Sequence, residues 1–256
     1  MTGWIDYCLV SMAGAVCAFM NTLASSGSAV SLPMLISLGM DPEMANATNR
    51  LPVIVGCITA VATFQRAGVL PWRMALRVAG PATLGSVAGA LLADAIPARN
   101  LGMAITAAVL AALILLVTKL KAALNQPPQE SARFSLKEAL IFFGIGTWVG
   151  FIVLDGATYL LLALVLVVRL PLTAANAVKN LVLIPTTLVS LLVFARDGHV
   201  AWLPGGAMAF GSIGGGMLAA RLALLPAARV WVFRLLVVVI AGELIQIGQH
   251  FLHRPI

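Results

Sequence analysis

Two polar clusters lie inside otherwise apolar stretches, one in each half of the chain. Their members are Asn46, Asn49, Arg50, Asn176, Lys179 and Asn180. In each cluster the second and third residues follow the first by three and four positions, which places the side chains on one face of a helix. A cation in a membrane-crossing helix is costly unless it faces a polar interior. Its presence in both halves predicts that Arg50 and Lys179 bind a ligand; the alternative is that their long stems carry the charge to the membrane interface.

Each cluster follows a short apolar segment that begins at a helix-breaking group. The breaks are Ser25, Ser26, Gly27 and Ser28 in the first half and Asp155, Gly156, Ala157 and Thr158 in the second. A segment of roughly 12 residues reaches less than about 20 Å, whereas the hydrocarbon core of a bilayer is about 30 Å thick. Interrupted backbone at membrane depth is tolerated only where protein buries it or where it lines a wet cavity. Because the N–H groups of a helix start favour negative charge, the breaks predict an anion site.

Two acids in apolar stretches are candidates for taking up a proton. Asp155 stands at the second break, where a carboxylate can cap the helix start, pair with Lys179 or take up a proton. Glu243 lies in the last apolar stretch, and its polar neighbours there can satisfy it. These neighbours are Gln246, Gln249 and His250.

The elements that must position these residues are membrane helices. Of the 256 residues, 61% are hydrophobic and 10% are charged, and the mean hydropathy is +1.03. A soluble core of this size does not need so much apolar sequence, whereas stretches of about 20 apolar residues, enough to cross a bilayer, recur along the chain. The chain is therefore predicted to be all-α, a polytopic transmembrane helical bundle in the lipid bilayer. The stretch from Ile5 to Ala24 is interpreted as a membrane segment rather than a cleaved signal peptide.

The chain divides into two similar halves of five segments each. The predicted segments are 5–24, 28–38, 43–64, 74–92 and 101–121, then 136–154, 157–168, 172–195, 207–225 and 230–252. Residues 122–136 are predicted to form a cytoplasmic linker between a first membrane repeat, 1–121, and a second, 137–256, within a single integral domain. ANATNRLPV from Ala45 matches ANAVKNLVL from Ala175, and the small residues Gly85, Ser86 and Gly89 match Gly211, Ser212 and Gly215. Internal duplication of this kind is common in transporters.

The relative orientation of the halves depends on how each break is built. If the first segment and the short one form a hairpin, each half makes an odd number of crossings and the second half is inverted. If the short segment continues one crossing, the repeats are parallel. Basic residues in the loops separate these arrangements poorly. We prefer two inverted repeats, each with about four membrane helices plus a short broken element, because transporters commonly pair broken helices across a pseudo-two-fold axis.

Motifs of other functional classes are missing from the sequence. The histidines are His199, His250 and His253, and the cysteines are Cys8, Cys17 and Cys57. The histidines stand in no H-E-x-x-H motif and the chain has no G-x-S-x-G, while the cysteines lack metal spacing and are interpreted as packing residues. The basic residues form no patch for nucleic acid. We predict no enzymatic activity, metal, cofactor or nucleic-acid partner; a membrane accessory protein that does not transport remains the rival class.

Three stretches carry a family resemblance: SSGSAVSLPMLISLGMDPEMANATNR from Ser25, FQRAGVLPW from Phe64 and the small-residue helix GSVAGALLA from Gly85. With a weaker second copy, this layout resembles the sulfite exporter TauE/SafE family of membrane anion permeases. Family members often carry a run of glycines at the first break, where this chain has Gly27 between serines. The resemblance implies transport of a small sulfur-containing anion, such as sulfite, thiosulfate, sulfoacetate or another organosulfonate, across the bacterial cytoplasmic (inner) membrane.

The predicted mechanism is alternating access around a site at the bilayer midplane. The predicted substrate-binding residues are Ser26, Gly27, Ser28, Asn46, Asn49, Arg50, Gly156, Ala157, Thr158, Asn176, Lys179 and Asn180, with Asp155 and Glu243 as coupling candidates. An inside-negative potential drives an anion outward by about 2.3 kcal/mol per charge per 100 mV. Export without a coupling ion is therefore the simpler prediction, and uptake coupled to protons is the alternative.

Overall fold

A computed structural model of the chain describes residues 4–95, 134–152 and 156–225. These ranges contain helices and turns but no strand, which confirms the all-α prediction. The helices are α1 (Trp4–Ala24), α2 (Ser28–Ser37), α3 (Pro42–Thr48), α4 (Arg50–Arg66), α5 (Trp72–Ala95), α6 (Leu136–Phe151), α7 (Gly156–Leu166), α8 (Leu172–Arg196) and α9 (Trp202–Ala223). The segments predicted at 101–121 and 230–252, most of the linker, Asp155 and Glu243 lie outside the described residues.

Four stretches of the described chain are long and apolar enough to cross a membrane, and they coincide with predicted segments. They are Tyr7–Ala24, Pro42–Arg66, Trp72–Ala93 and Leu172–Arg196. The segment predicted as one helix from Glu43 is divided at Asn49 into α3 and α4. Pro52 lacks the N–H that would bond to the carbonyl of Thr48, so the helical ladder is open at this point. Asn49 itself stays close to helical geometry, with φ −63° and ψ −13°, and α4 continues the course of α3.

The first break turns the chain back on itself. Ser25 has a φ of 61°, a left-handed conformation that non-glycine residues seldom adopt. After the turn, the Ser31 hydroxyl lies 3.3 Å from the Cys17 sulfur, and Leu35 packs in one apolar cluster with Val10. Successive residues of α2 thus contact progressively earlier residues of α1, so the two helices form an antiparallel hairpin.

The second break is followed by a similar reversal. Gly156, the first residue of α7, lies so close to Val149 that a Cβ would meet its side chain at 2.5 Å. The rings of Trp148 and Tyr159 pack edge to face, with 6.1 Å between their centroids. The start of α7 therefore lies beside the last turn of α6.

Two pairs of helices pack with their backbones in close contact. A Cβ on Gly211 would overlap the carbonyl oxygen of Ser11, and one on Gly215 would overlap that of Ala15. The contacts advance in the same direction along both chains, so α1 and α9 lie parallel. Contacts of the same kind join α5 to α6, Gly85 to Phe143 and Gly89 to Thr147. Small residues at such contacts let membrane helices approach closely.

Helix α8 lies at the centre of the described bundle. It packs against α1 and against each helix from α3 to α7, and its buried residues cover almost all of its length. Near its start it carries Asn176, Lys179 and Asn180, and near its end it presents Phe194 to the start of α4. Because α8 contacts both hairpins and α4, it positions the polar residues of the two halves against each other.

Candidate functional site

The two breaks meet in the interior of the bundle. The hydroxyl of Thr158, at the start of α7, donates a hydrogen bond of 3.1 Å to the carbonyl oxygen of Ser25. The hydroxyl-bearing side chains of the two breaks are buried, although they are polar; they are Ser25, Ser26, Ser28 and Thr158. Gly156 and Ala157, also buried, complete the start of α7. The structure thus brings the two predicted breaks into contact through this hydrogen bond.

Lys179 binds the last turn of α1. Its ammonium donates to the carbonyl oxygens of Asn21 at 2.7 Å and Thr22 at 3.2 Å, and to the hydroxyl of Ser25 at 3.0 Å. The side chain is completely buried, at 0% exposure. Carbonyl groups at a helix end carry partial negative charge because their intrahelical partners are missing, and this charge stabilises a nearby cation. Lys179 therefore fixes both the end of α1 and the left-handed turn at Ser25.

Arg50 binds the last turn of α6 in a related way. Its Nη1 donates to the carbonyl oxygen of Val149 at 3.1 Å, and its Nη2 donates to that of Gly150 at 2.9 Å. The ring of Phe194 covers one face of the guanidinium, with 4.8 Å from its centroid to Cζ, a favourable cation–π geometry. The Nε atom is buried and has no hydrogen-bond partner in the described part of the chain.

The two cations make reciprocal contacts between the halves. Arg50 belongs to the first half and binds the first helix of the second, whereas Lys179 belongs to the second half and binds the first helix of the first. Within the described residues neither cation forms a salt bridge, since the ion pair found there joins His199 to Glu43. Both charges are therefore balanced, in this part of the chain, by neutral oxygens and an aromatic ring.

Amide side chains extend these contacts into a polar network. Asn49 donates to the Ser28 hydroxyl at 3.0 Å and accepts from the Ser31 hydroxyl at 2.7 Å, which holds the start of α2. Asn180 donates to the Asn176 carbonyl at 2.8 Å and accepts from Thr22 at 3.4 Å. Asn46 and Asn176 are buried as well. The predicted amides thus lie at the hairpins.

The structure excludes the alternative that the long stems of Arg50 and Lys179 carry their charges to the membrane interface. Arg50 and Lys179 do not extend to the surface, because both side chains are fully buried and their charged groups bind backbone oxygens of other helices. Reaching an interface with a long stem therefore does not describe the observed conformations. The cysteine interpretation holds for Cys17 and Cys57, which are buried, but Cys8 is exposed on α1.

Several contributors to the site escaped the sequence reasoning. Thr22 could have been found, because it is a polar residue near the end of an apolar stretch and its hydroxyl donates to Asn180. Asn21, Val149 and Gly150 could not, since they bind the cations through carbonyl oxygens that every residue carries. Phe194 is also invisible as a site residue until the fold brings it beside Arg50.

Substitution of Thr158 by valine is expected to weaken the junction between the breaks while keeping the side-chain shape. Loss of its bond to the Ser25 carbonyl leaves a buried acceptor unpaired, which costs about 1–3 kcal/mol. The measurement is the midpoint of thermal unfolding of the purified protein in detergent. Thr63→Val is the matched control, because the Thr63 hydroxyl bonds within α4, to the Thr59 carbonyl. Equal midpoints for the two variants would contradict a stabilising contact at the junction.

Comparison with known proteins identifies the family to which the chain is similar. A model of the family described as "Sulfite exporter TauE/SafE" matches residues 10–244. The probable membrane transporter protein YfcA of Escherichia coli K12 is 29% identical over 207 residues, which cover 80% of this chain and 76% of the relative. A probable membrane transporter protein of Haemophilus influenzae is 26% identical over 209 residues, 82% of each chain. None of the solved structures matches the chain.

The helical bundle and these matches define a multi-pass bacterial membrane transporter, a class distinct from enzymes. Within that class, the chain belongs to the sulfite exporter TauE/SafE family.

Proposed function

We propose that this protein exports small sulfur-containing anions, such as sulfite, thiosulfate, sulfoacetate or another organosulfonate, by alternating access around the junction of the two breaks. The observation that carries the proposal is the pair of fully buried cations, Arg50 and Lys179, one from each half. Each binds beside a break of the other half, and each has neutral partners within the described residues.

The electrostatics of this arrangement favour an anion. Removing a charged group from water is costly, and helix-end carbonyls provide only about half an elementary charge in return. Considering the described residues alone, the interior therefore keeps a positive potential that a small anion can balance. Two opposite charges about 4 Å apart attract by about 4 kcal/mol at an effective dielectric constant of about 20. An anion between the breaks would gain from both cations and from the N–H groups at the starts of α2 and α7.

The residues proposed to form the site, either by contact with the anion or by positioning the residues that touch it, come from both hairpins and both long central helices. They are Ser26, Gly27, Ser28, Asn46, Asn49, Arg50, Gly156, Ala157, Thr158, Asn176, Lys179 and Asn180. Hydroxyls and amides provide hydrogen bonds to the oxygens of a sulfite or sulfonate group, while the cations provide the charge. No covalent step is required.

Alternating access is proposed to use two inverted halves. The parallel packing of α1 with α9, and of α5 with α6, supports inversion. If α6 to α9 repeat the course of α1 to α5, then α9 runs opposite to α6, as α5 runs opposite to α1. Because α1 and α9 lie parallel, α1 and α6 then run in opposite directions. Rocking of two such halves would expose the junction to each side of the membrane in turn.

Flux measurements in proteoliposomes test the proposal. With an inside-negative potential, we expect thiosulfate and sulfoacetate to leave the lumen faster than from protein-free liposomes, by a flux that chloride does not match. Export without a coupling ion predicts that the rate follows the potential and ignores an imposed pH gradient. A rate set by the pH gradient would instead support proton-coupled uptake and direct attention to Asp155 and Glu243. Rates equal to those of empty liposomes for every anion would favour an accessory protein.

A further inference from the structure

We infer that the two buried cations have different roles: Arg50 binds the transported anion through its Nε–H, and Lys179 is a positioning residue that does not touch the anion. The inference rests on the proposed function and assigns the direct contact at that site to one side chain.

The donors of Lys179 are fully used by the protein. An ammonium group has three N–H donors, and the structure gives it three acceptors, the carbonyl oxygens of Asn21 and Thr22 and the hydroxyl of Ser25. An anion could bind this group only by displacing one of them. Because the three acceptors belong to the end of α1 and to the turn that follows it, the arrangement is suited to holding the hairpin in place.

The donors of Arg50 are used only in part. The two Nη atoms bind the carbonyl oxygens of Val149 and Gly150 with the end edge of the guanidinium. Nε belongs to the other edge, where it lies beside a second N–H of Nη2, and it is buried without a partner among the described residues. Buried donors in proteins almost always have an acceptor. A charged donor that lacks a protein acceptor indicates that a bound ligand provides the acceptor.

The geometry of the guanidinium also fits the chemistry of the proposed substrates. An arginine edge presents two parallel N–H groups that match two oxygens of an oxyanion. The ring of Phe194 covers one face of the guanidinium, and the two helix-end carbonyls fix its end edge, so the free edge is held in one orientation. Val149, whose carbonyl binds Arg50, also contacts Gly156 at the start of α7. The guanidinium therefore lies near the second break, where other N–H groups begin a helix.

Two substitutions that keep the charge separate the roles. Arg50→Lys retains the positive charge but removes Nε, and we expect the dissociation constant for sulfoacetate and thiosulfate to rise by at least about tenfold through loss of the paired contact. Lys179→Arg also retains the charge but places a larger, planar group among three closely spaced acceptors. It is expected to lower the midpoint of thermal unfolding and the transport rate, while the dissociation constant of the folded protein changes by less than about threefold.

A direct readout on the wild-type protein complements the variants. In full-length protein labelled with ¹⁵Nε-arginine and held in lipid nanodiscs, the Arg50 signal can be assigned through its response to Phe194→Leu, because the ring lies against the guanidinium. We expect this signal to shift on titration with sulfoacetate or thiosulfate, in step with thermal stabilisation of the protein.

Three outcomes distinguish the possibilities. Anion affinity that falls as strongly in folded Lys179→Arg as in Arg50→Lys would overturn the division of roles. So would an Arg50 signal that stays fixed while either anion stabilises the protein. Wild-type protein that neither anion stabilises would count against the proposed function itself, whichever cation is substituted.

Discussion

Replacing Arg50 by methionine is expected to lower anion flux per folded protein by at least about 100-fold. The substitution keeps much of the side-chain volume but removes a charge whose attraction to a nearby anion is worth about 3–4 kcal/mol, and each 1.4 kcal/mol corresponds to a factor of about ten. It also leaves the carbonyl oxygens of Val149 and Gly150 without their donor, so a lower unfolding midpoint is expected as well. Flux is measured in proteoliposomes and normalised to protein that remains monodisperse.

Arg77→Met is the matched control. Arg77 is exposed on α5, so this substitution makes the same chemical change at the surface. Its flux is expected to stay within about twofold of wild type, since exposed charges separated by more than a Debye length are largely screened. If folded Arg50→Met transports thiosulfate and sulfoacetate as fast as this control, the buried guanidinium is a structural group and the anion binds elsewhere.

The polar face that contains the cations could be read from the sequence. Asn49 and Arg50 follow Asn46 by one helical turn, so the three side chains share one face. The two breaks interrupt apolar stretches where a membrane helix would otherwise continue. These features depend only on helical periodicity and on the cost of polar groups in an apolar environment. The structure accordingly buries both clusters and brings the two breaks into contact.

The hydrogen-bond acceptors of Arg50 and Lys179 could not be predicted from the sequence in the same way. Aligned at the offset of the duplication, Arg50 corresponds to Asn180, and Lys179 corresponds to Asn49. The structure shows that Arg50 and Asn180 both reach the last turn of the first helix of the other half. Asn49 instead binds hydroxyls of its own half. Equivalent positions thus carry different chemistry, and only tertiary packing decides which oxygen each one meets.

This reciprocity has a consequence for motion during transport. Each first helix is tied to a cation of the opposite half, so the halves cannot separate at the breaks without breaking bonds to a buried charge. Partners that are neutral carbonyls bind a cation less strongly than a carboxylate would. A change in the relative position of the halves would therefore break weaker bonds here than a protein salt bridge at the same place would form.

Substitution of Gly215 by alanine is expected to destabilise the protein by more than about 3 kcal/mol, the upper range for overpacking in a well-packed interior. The added Cβ would overlap the carbonyl oxygen of Ala15. Since the obstructing atom belongs to the backbone, rotation of a side chain cannot relieve the overlap. Helices α1 and α9 would have to move apart along a contact whose close approach depends on small residues. The measurement is the midpoint of unfolding in detergent, followed by size-exclusion chromatography.

The adjacent glycine provides the control for this prediction. A Cβ on Gly214 meets no atom of the described residues within 4 Å, so among these residues Gly214→Ala changes the same helix by the same methyl group without an overlap. Because alanine is favoured over glycine in a helix interior by about 1 kcal/mol, this variant is expected to match or slightly exceed wild-type stability. Equal stability of the two variants would show that α1 and α9 do not pack backbone to backbone at Ala15. The parallel pairing would then lose its support, and with it the argument that the two halves are inverted.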